Sequence, residues 1–139
     1  MRWGILIVDD DALLRFFLRK FLGKKDWEVF EAENGEEALS ILEKTTIHLI
    51  ITDLQMPVMG GLELLQRVRK DPRTGSIPII MVTAEGDTIR EKAIQLGASD
   101  FINKPVDEVD LLHRIRKTLG FVEDKAPSTE AEGEDKEKK

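Results

Sequence analysis

The chain has 139 residues, 41% of them hydrophobic, 35% charged, no cysteine, and a net charge of -6, which leaves room for one compact domain and excludes disulfides, thiolate zinc sites and cysteine nucleophiles. The acidic balance argues against direct nucleic-acid binding, because neutralising phosphates needs a basic surface. The acidic triplet Asp9–Asp11 comes too early for a secretory apolar segment and no apolar run approaches membrane-spanning length, so a cytoplasmic location with no membrane partner is expected.

"WGILIV" at 3–8 reads as a buried strand, and 11–22 as a helix capped by Asp10 or Asp11 with Gly23 past its end. On that helix Leu14, Phe17, Leu18 and Phe21 share a stripe expected to face the core, with Phe16 pointing away and Leu13 at the border. Residues 27–32 form a second strand, 34–44 a helix with Ala38, Leu39, Ile41 and Leu42 inward, and 47–52 a third strand. After the segment "DLQMPVMGG" a helix runs from about Leu62 to Lys70, with Leu62, Leu65 and either Val68 or Arg69 on its inner face. A turn at 71–76, a strand at 77–83 and a helix from about Asp87 to Leu96 follow. A short strand at 100–103, Lys104–Pro105 and a last helix at 107–120 close the pattern.

Five strands, apolar throughout, alternating with five helices define an α/β fold: an open, doubly wound (βα)5 parallel sheet covered on both faces. Residues 1–121 form this domain, and 122–139, which hold -3 of the net charge and only Val122 as a core-sized residue, read as a disordered charged tail. The high charge content, against roughly 25% in ordinary proteins, and only five Asn and Gln point to a heat-adapted source.

In such sheets ligands bind at the carboxyl ends of the strands. Those ends deliver Asp9 and Asp10 from the first strand, Asp53 from the third, Thr83 from the fourth and Lys104 after the fifth. The second strand ends in Glu31, Ala32 and Glu33, a less informative set. Each acidic residue alone reads as a cap or loop carboxylate; together they repel one another unless a cation sits among them. Oxygen donors without histidine or thiolate suit Mg²⁺, and a lysine at the same edge makes sense when an anion arrives beside the metal. That pairing implies a phosphoryl ligand, with Asp53 as nucleophile, Thr83 as hydroxyl donor and Lys104 neutralising the transferring oxygens.

The stretches "ILIVDD", "IITDLQMPVMGGLELL", "IIMVTA" and "AIQLGASDFINKP" resemble the response-regulator receiver domain of two-component signalling, similar in layout to single-domain chemotaxis-type regulators. The resemblance covers about residues 3–120 and implies a flavodoxin-like sheet in the order 2-1-3-4-5. It implies Asp53 as phosphoacceptor, Asp10 as a direct Mg²⁺ ligand, Asp9 as a direct or water-mediated one, and the Gln55 carbonyl as another. Lys104, preceding a cis Pro105 bond, then ion-pairs with the phosphoryl group and Thr83 hydrogen-bonds to it. On phosphorylation Thr83 moves toward that group and Phe101 rotates inward, changing affinity for a downstream protein target. Gln55 and Glu85 flank the phosphoryl group, where the family tunes hydrolysis. Leu13 and Phe16, near Asp10, are candidate docking residues for a histidine kinase or histidine phosphotransfer protein.

The resulting expectation is a self-phosphorylating and autodephosphorylating signalling module, passing on either a changed affinity or, in a phosphorelay, the phosphoryl group. A receiver piece of a longer DNA-binding regulator is one alternative. A Mg²⁺-dependent phosphohydrolase is another, weakened because Gln55, not a second Asp, stands two residues after Asp53. His48 and His113 read as surface or satisfied side chains, and Met56 and Met59 as loop packing around Pro57.

Overall fold

A computed structural model describes residues 3–23, 27–84 and 87–120. Glu85 and the 122–139 tail lie outside the described residues. The elements run β1 (Trp3–Val8), α1 (Ala12–Gly23), β2 (Trp27–Ala32), α2 (Gly35–Lys44), β3 (Leu49–Thr52), α3 (Gly61–Lys70), β4 (Ile79–Thr83), α4 (Asp87–Gln95), β5 (Asp100–Asn103) and α5 (Glu108–Leu119). The five strands pair in parallel in the order β2-β1-β3-β4-β5, the doubly wound flavodoxin-like arrangement.

β3 and β4 are buried along their whole length, as only a sheet covered on both faces permits. Successive strand side chains point to opposite faces, so Leu6, Val8, Ile50, Ile79, Met81 and Phe101 collect on one side. There they join Ala38, Leu64, Leu65, Val68 and Ala93 from the helices in one core cluster. α5 belongs to a second compact unit beginning at Asp107. Asp107 caps it by accepting the Val109 amide, Gly120 ends it in the left-handed conformation at φ 83°, and Leu111 and Ile115 are its buried residues.

Two strands start later than their apolar runs. Pro78 has no N–H to give a ladder, so β4 begins at Ile79, while the Pro78 carbonyl accepts the Ile50 amide at 3.0 Å. Ahead of β3, the His48 Nδ1 accepts the Gly4 amide at 2.9 Å and the His48 amide donates to the Gly4 carbonyl at 2.8 Å. The His48 ring also meets Trp3 edge-on at 4.9 Å, so His48 is satisfied in place.

The expected inner stripe of α1 is corrected. Phe17 is 56% exposed, and the buried positions are Leu18 and Leu22. Arg15, on the flank opposite Phe17, turns inward instead, because Glu31 and the Asp9 carbonyl offer its guanidinium partners that a phenyl ring cannot use. The helix turns accordingly, leaving Phe17 stacked edge-on against Phe16 at 5.8 Å.

The loop before α3 holds one β-branched residue in the left-handed region, Val58 at φ 69°, with 73% of its surface exposed. That conformation costs a β-branched residue about 1–2 kcal/mol, and Val58 has little packing to lose. Val58→Asn is therefore expected to raise stability by about 1 kcal/mol; a urea midpoint unchanged or lowered would contradict that account of the strain.

Candidate functional site

Each residue at the site is delivered by a strand that ends where the chain must leave the sheet. The Asp9 amide still pairs with the Ala32 carbonyl at 3.1 Å, and the Asp53 amide with the Val8 carbonyl at 2.9 Å. Both aspartates thus sit one step past the ladder on adjacent strands β1 and β3. Lys104 follows β5, its amide donating to the Thr83 carbonyl at 2.9 Å, and the Lys104–Pro105 peptide bond is cis.

The side chains converge. Lys104 Nζ lies 3.1 Å from Asp9 Oδ2 and 3.2 Å from Asp53 Oδ2. Asp9 Oδ1 accepts the Asp11 amide at 2.9 Å, and Asp53 Oδ1 accepts the Leu54 amide at 2.6 Å. Carboxylate oxygens of Asp9, Asp10 and Asp53 all lie within 4.8 Å of one another; Asp9 and Asp53 are buried and Asp10 is exposed. A cleft of about 550 Å³ opens over them, lined also by Asp11, Gln55, Met56, Pro57 and Lys104. Burial pushes the Asp9 carboxyl above its ordinary value; the Asp11 amide and Lys104 pull it down, and the Asp53 charge pushes it up again. Lys104 is raised: burial alone would lower it, but the hydrogen bonds and charges of Asp9 and Asp53 outweigh that.

The expected residues fall in four places. Asp9, Asp10, Asp53, Gln55 and Lys104 share the cleft. Thr83 is buried at the end of β4, beside Lys104 through the main chain. Phe101 is buried within the core cluster, with the Arg90 guanidinium 5.8 Å from its ring centre. Leu13 and Phe16 are on α1, 63% and 51% exposed, with Lys20 Nζ 5.5 Å from the Phe16 ring centre.

Two features of the site escape sequence reasoning. Asp11, one of the two expected caps of α1, with its Oδ1 accepting the Leu13 and Leu14 amides at 3.0 and 3.2 Å, also lines the cleft. Glu31, at the end of β2, binds Arg15 and Arg19 at 3.1 Å each. Its position two strands' width from Asp53 in the sheet order was readable, but its partners depend on how α1 is turned.

The chain is a doubly wound α/β module with three carboxylates and a lysine gathered at its strand ends, and comparison places it in a family. The response regulator receiver domain family matches residues 5–116, and the chain belongs to that family. It is 41% identical over 125 residues, 89% of its length, to the probable transcriptional regulator ycf27 of Porphyridium aerugineum, of whose length it spans half. It is 39% identical over 114 residues, 81% of its length, to an uncharacterized 14.6 kDa protein of Leptolyngbya boryana, spanning 87% of that chain. Among solved structures, a putative response regulator from Chloroflexus aurantiacus superposes with a TM-score of 0.82 at 35% identity, covering 86% of this chain and 99% of that one. Receiver domains of this family typically use Mg²⁺ and interact with histidine kinases. Among the described residues no helix is long and apolar enough to cross a membrane.

Proposed function

We propose that Asp53 takes a phosphoryl group from a phosphohistidine donor. An Asp53 carboxylate oxygen attacks phosphorus, the phosphorus–nitrogen bond to the donor imidazole breaks, and the nitrogen keeps the electron pair; water later cleaves the resulting acyl phosphate. The observation that supports this is the meeting of three carboxylates and one ammonium in a single cleft, with Asp9 and Asp53 buried and sharing the one lysine.

That donor set fits a hard divalent ion. Asp9, Asp10, Asp53 and the Gln55 carbonyl would hold Mg²⁺, which supplies charge neutralisation at the phosphoryl oxygens. Lys104 offsets negative charge at the same place, and Thr83 donates a hydroxyl hydrogen bond to the phosphorylated Asp53. Coupling of Thr83 and Phe101 changes affinity for a protein target or readies the group for relay. Leu13 and Phe16 dock the cytoplasmic histidine kinase or phosphotransfer protein, being large apolar side chains left in solvent beside the acidic turn. Residues 1–121 act as the receiver, with 122–139 as its charged tail.

Incubation with acetyl phosphate and Mg²⁺ should label the parent and leave Asp53→Asn unlabelled. With a phosphohistidine protein as donor, Phe16→Ser should slow labelling while leaving the acetyl phosphate rate intact. Label on Asp53→Asn sinks the acceptor assignment; equal effects on both donors sink the docking assignment. A second reading, a receiver within a longer regulator, is favoured by the match to a probable transcriptional regulator about twice the span of the alignment. The sequence of the whole gene decides it.

A further inference from the structure

Two of the three clustered carboxylates are held directly. Amides of Asp11 and Leu54 and the ammonium of Lys104 fix the oxygens of Asp9 and Asp53. Asp10 differs: it is exposed, and among the described residues no hydrogen bond reaches its carboxylate. Its aim therefore depends on the main chain, above all on the peptide plane joining Asp9 to Asp10.

Asp9 is held at both of its main-chain groups: its amide, in the preceding peptide, donates to Ala32 on β2 at 3.1 Å, and its carbonyl, the oxygen of the Asp9–Asp10 peptide, accepts a hydrogen bond from Arg15 Nη1. Arg15 is itself aimed, since its Nε donates to Glu31 Oε1 at 3.1 Å, and its side chain is only 12% exposed. A rigid planar fork can serve both acceptors at once, because one edge addresses the carboxylate while another nitrogen reaches the carbonyl.

We propose that Arg15, oriented by Glu31, is a positioning residue for the divalent-cation site, holding the Asp9–Asp10 peptide so that the Asp10 carboxylate meets those of Asp9 and Asp53. This rests on the Mg²⁺ reading above and adds a residue to it. The sign of the effect separates positioning from simple charge. A guanidinium beside an acidic cluster repels a cation, so a role through charge alone means that its removal tightens binding. A positioning role means that its removal weakens binding, on the scale of outer-shell ligand supports, about 10–100-fold.

The test is titration calorimetry with Mg²⁺, and electron paramagnetic resonance with Mn²⁺ as probe, on the full chain held well below each variant's melting midpoint. Arg15→Met should bind Mg²⁺ about tenfold more weakly than the parent, with a Mn²⁺ spectrum reporting a less uniform site. Arg15→Lys, which can reach the carbonyl but not hold both acceptors as a fork, should recover part of the loss. Arg19→Met, which strips Glu31 of its other partner without touching Asp9, should keep the parent affinity. Unchanged or tighter binding in Arg15→Met while Asp10→Asn loses it overturns the proposal. Equal losses in Arg15→Met and Arg19→Met overturn it as general loosening. Parent-like binding in Asp10→Asn overturns the Mg²⁺ reading and this proposal together.

Discussion

Gly61→Ala is expected to lower stability by about 3 kcal/mol and to slow phosphorylation of Asp53 far more than its chemistry suggests. A methyl group added there would overlap the Asp53 carbonyl oxygen and stand 3.0 Å from both the Asp53 carbonyl carbon and the Leu54 Cα. All three neighbours are main chain, so no side chain can swing aside. The Gly61 amide also donates to the Leu54 carbonyl at 2.8 Å, tying the first turn of α3 to the residue after Asp53. Relief must come from moving the strand end or the helix, and either shifts the Asp53 carboxylate. A displacement near 1 Å costs on the order of a hundredfold in rate where reacting atoms must be aligned. Helix propensity alone points the other way, by about 1 kcal/mol in favour of alanine. Gly23→Ala provides the contrast: it lies in the last turn of α1 with nothing within 4 Å of the added carbon, so there the propensity gain should emerge as a stabilisation. Urea unfolding of both variants and acetyl phosphate labelling of Gly61→Ala measure these effects. A Gly61→Ala protein within about 1 kcal/mol of the parent would show that the loop gives way without cost.

Most of the fold was readable because the central strands β1, β3 and β4 are apolar on both faces and several helix boundaries carry a local chemical marker. Asn34 accepts the Glu37 amide at 2.9 Å to start α2, Asp107 starts α5 and Gly120 ends it. The convergence of Asp9, Asp10, Asp53 and Lys104 was readable for a related reason: charged residues at the ends of parallel buried strands share one edge of the sheet. What periodicity could not supply was the rotation of α1. Its apolar residues Leu13, Leu14, Phe16, Phe17, Leu18, Phe21 and Leu22 spread over more than half the helix circumference, so they define a broad face and not its centre. The centre is set by Arg15, a residue that hydrophobic pattern counts as outward, and by acceptors on β2 and the β1 end that are remote in sequence. Arg69 repeats the lesson. Its guanidinium donates to the carbonyls of Gly75, Ile77 and Gly97 at 2.6–3.1 Å, a half-buried clamp between three segments that no spacing rule on α3 announces. Val68, its neighbour, takes the core position.

Lys104→Met should destabilise the protein in the absence of divalent cations, and the loss should depend on pH as a bell. One ammonium, itself partly exposed, serves two nearly buried carboxylates, so its removal leaves two negative charges facing each other in the cleft. Breaking fully buried pairs costs about 3–5 kcal/mol, and the exposure of Lys104 places this case near the lower end, at about 3 kcal/mol. At the acidic end, Asp9 is raised above its ordinary 3.8, by burial first. A carboxyl raised in the folded state favours folding fully below its unfolded value and loses that contribution as pH rises through the folded one. Lys104 is among the groups restraining that rise, so the variant should suffer more from ionisation of Asp9, and its deficit should shrink as pH falls toward 3.8. At the alkaline end, Lys104 is raised above 10.5 by Asp9 and Asp53 against the opposing effect of burial. Its contribution is complete below 10.5 and disappears as pH climbs through the folded value, so the two proteins should converge there as well. Mg²⁺ should narrow the gap at neutral pH, because a cation bound by Asp9, Asp10 and Asp53 replaces the missing positive charge and stabilises the folded state by mass action. Melting curves of parent and Lys104→Met across pH, with and without Mg²⁺, read all three effects. A deficit that stays constant from acid to alkali would mean that Lys104 contributes through the packing of its stem, and the charge balance assigned to the cleft would be wrong.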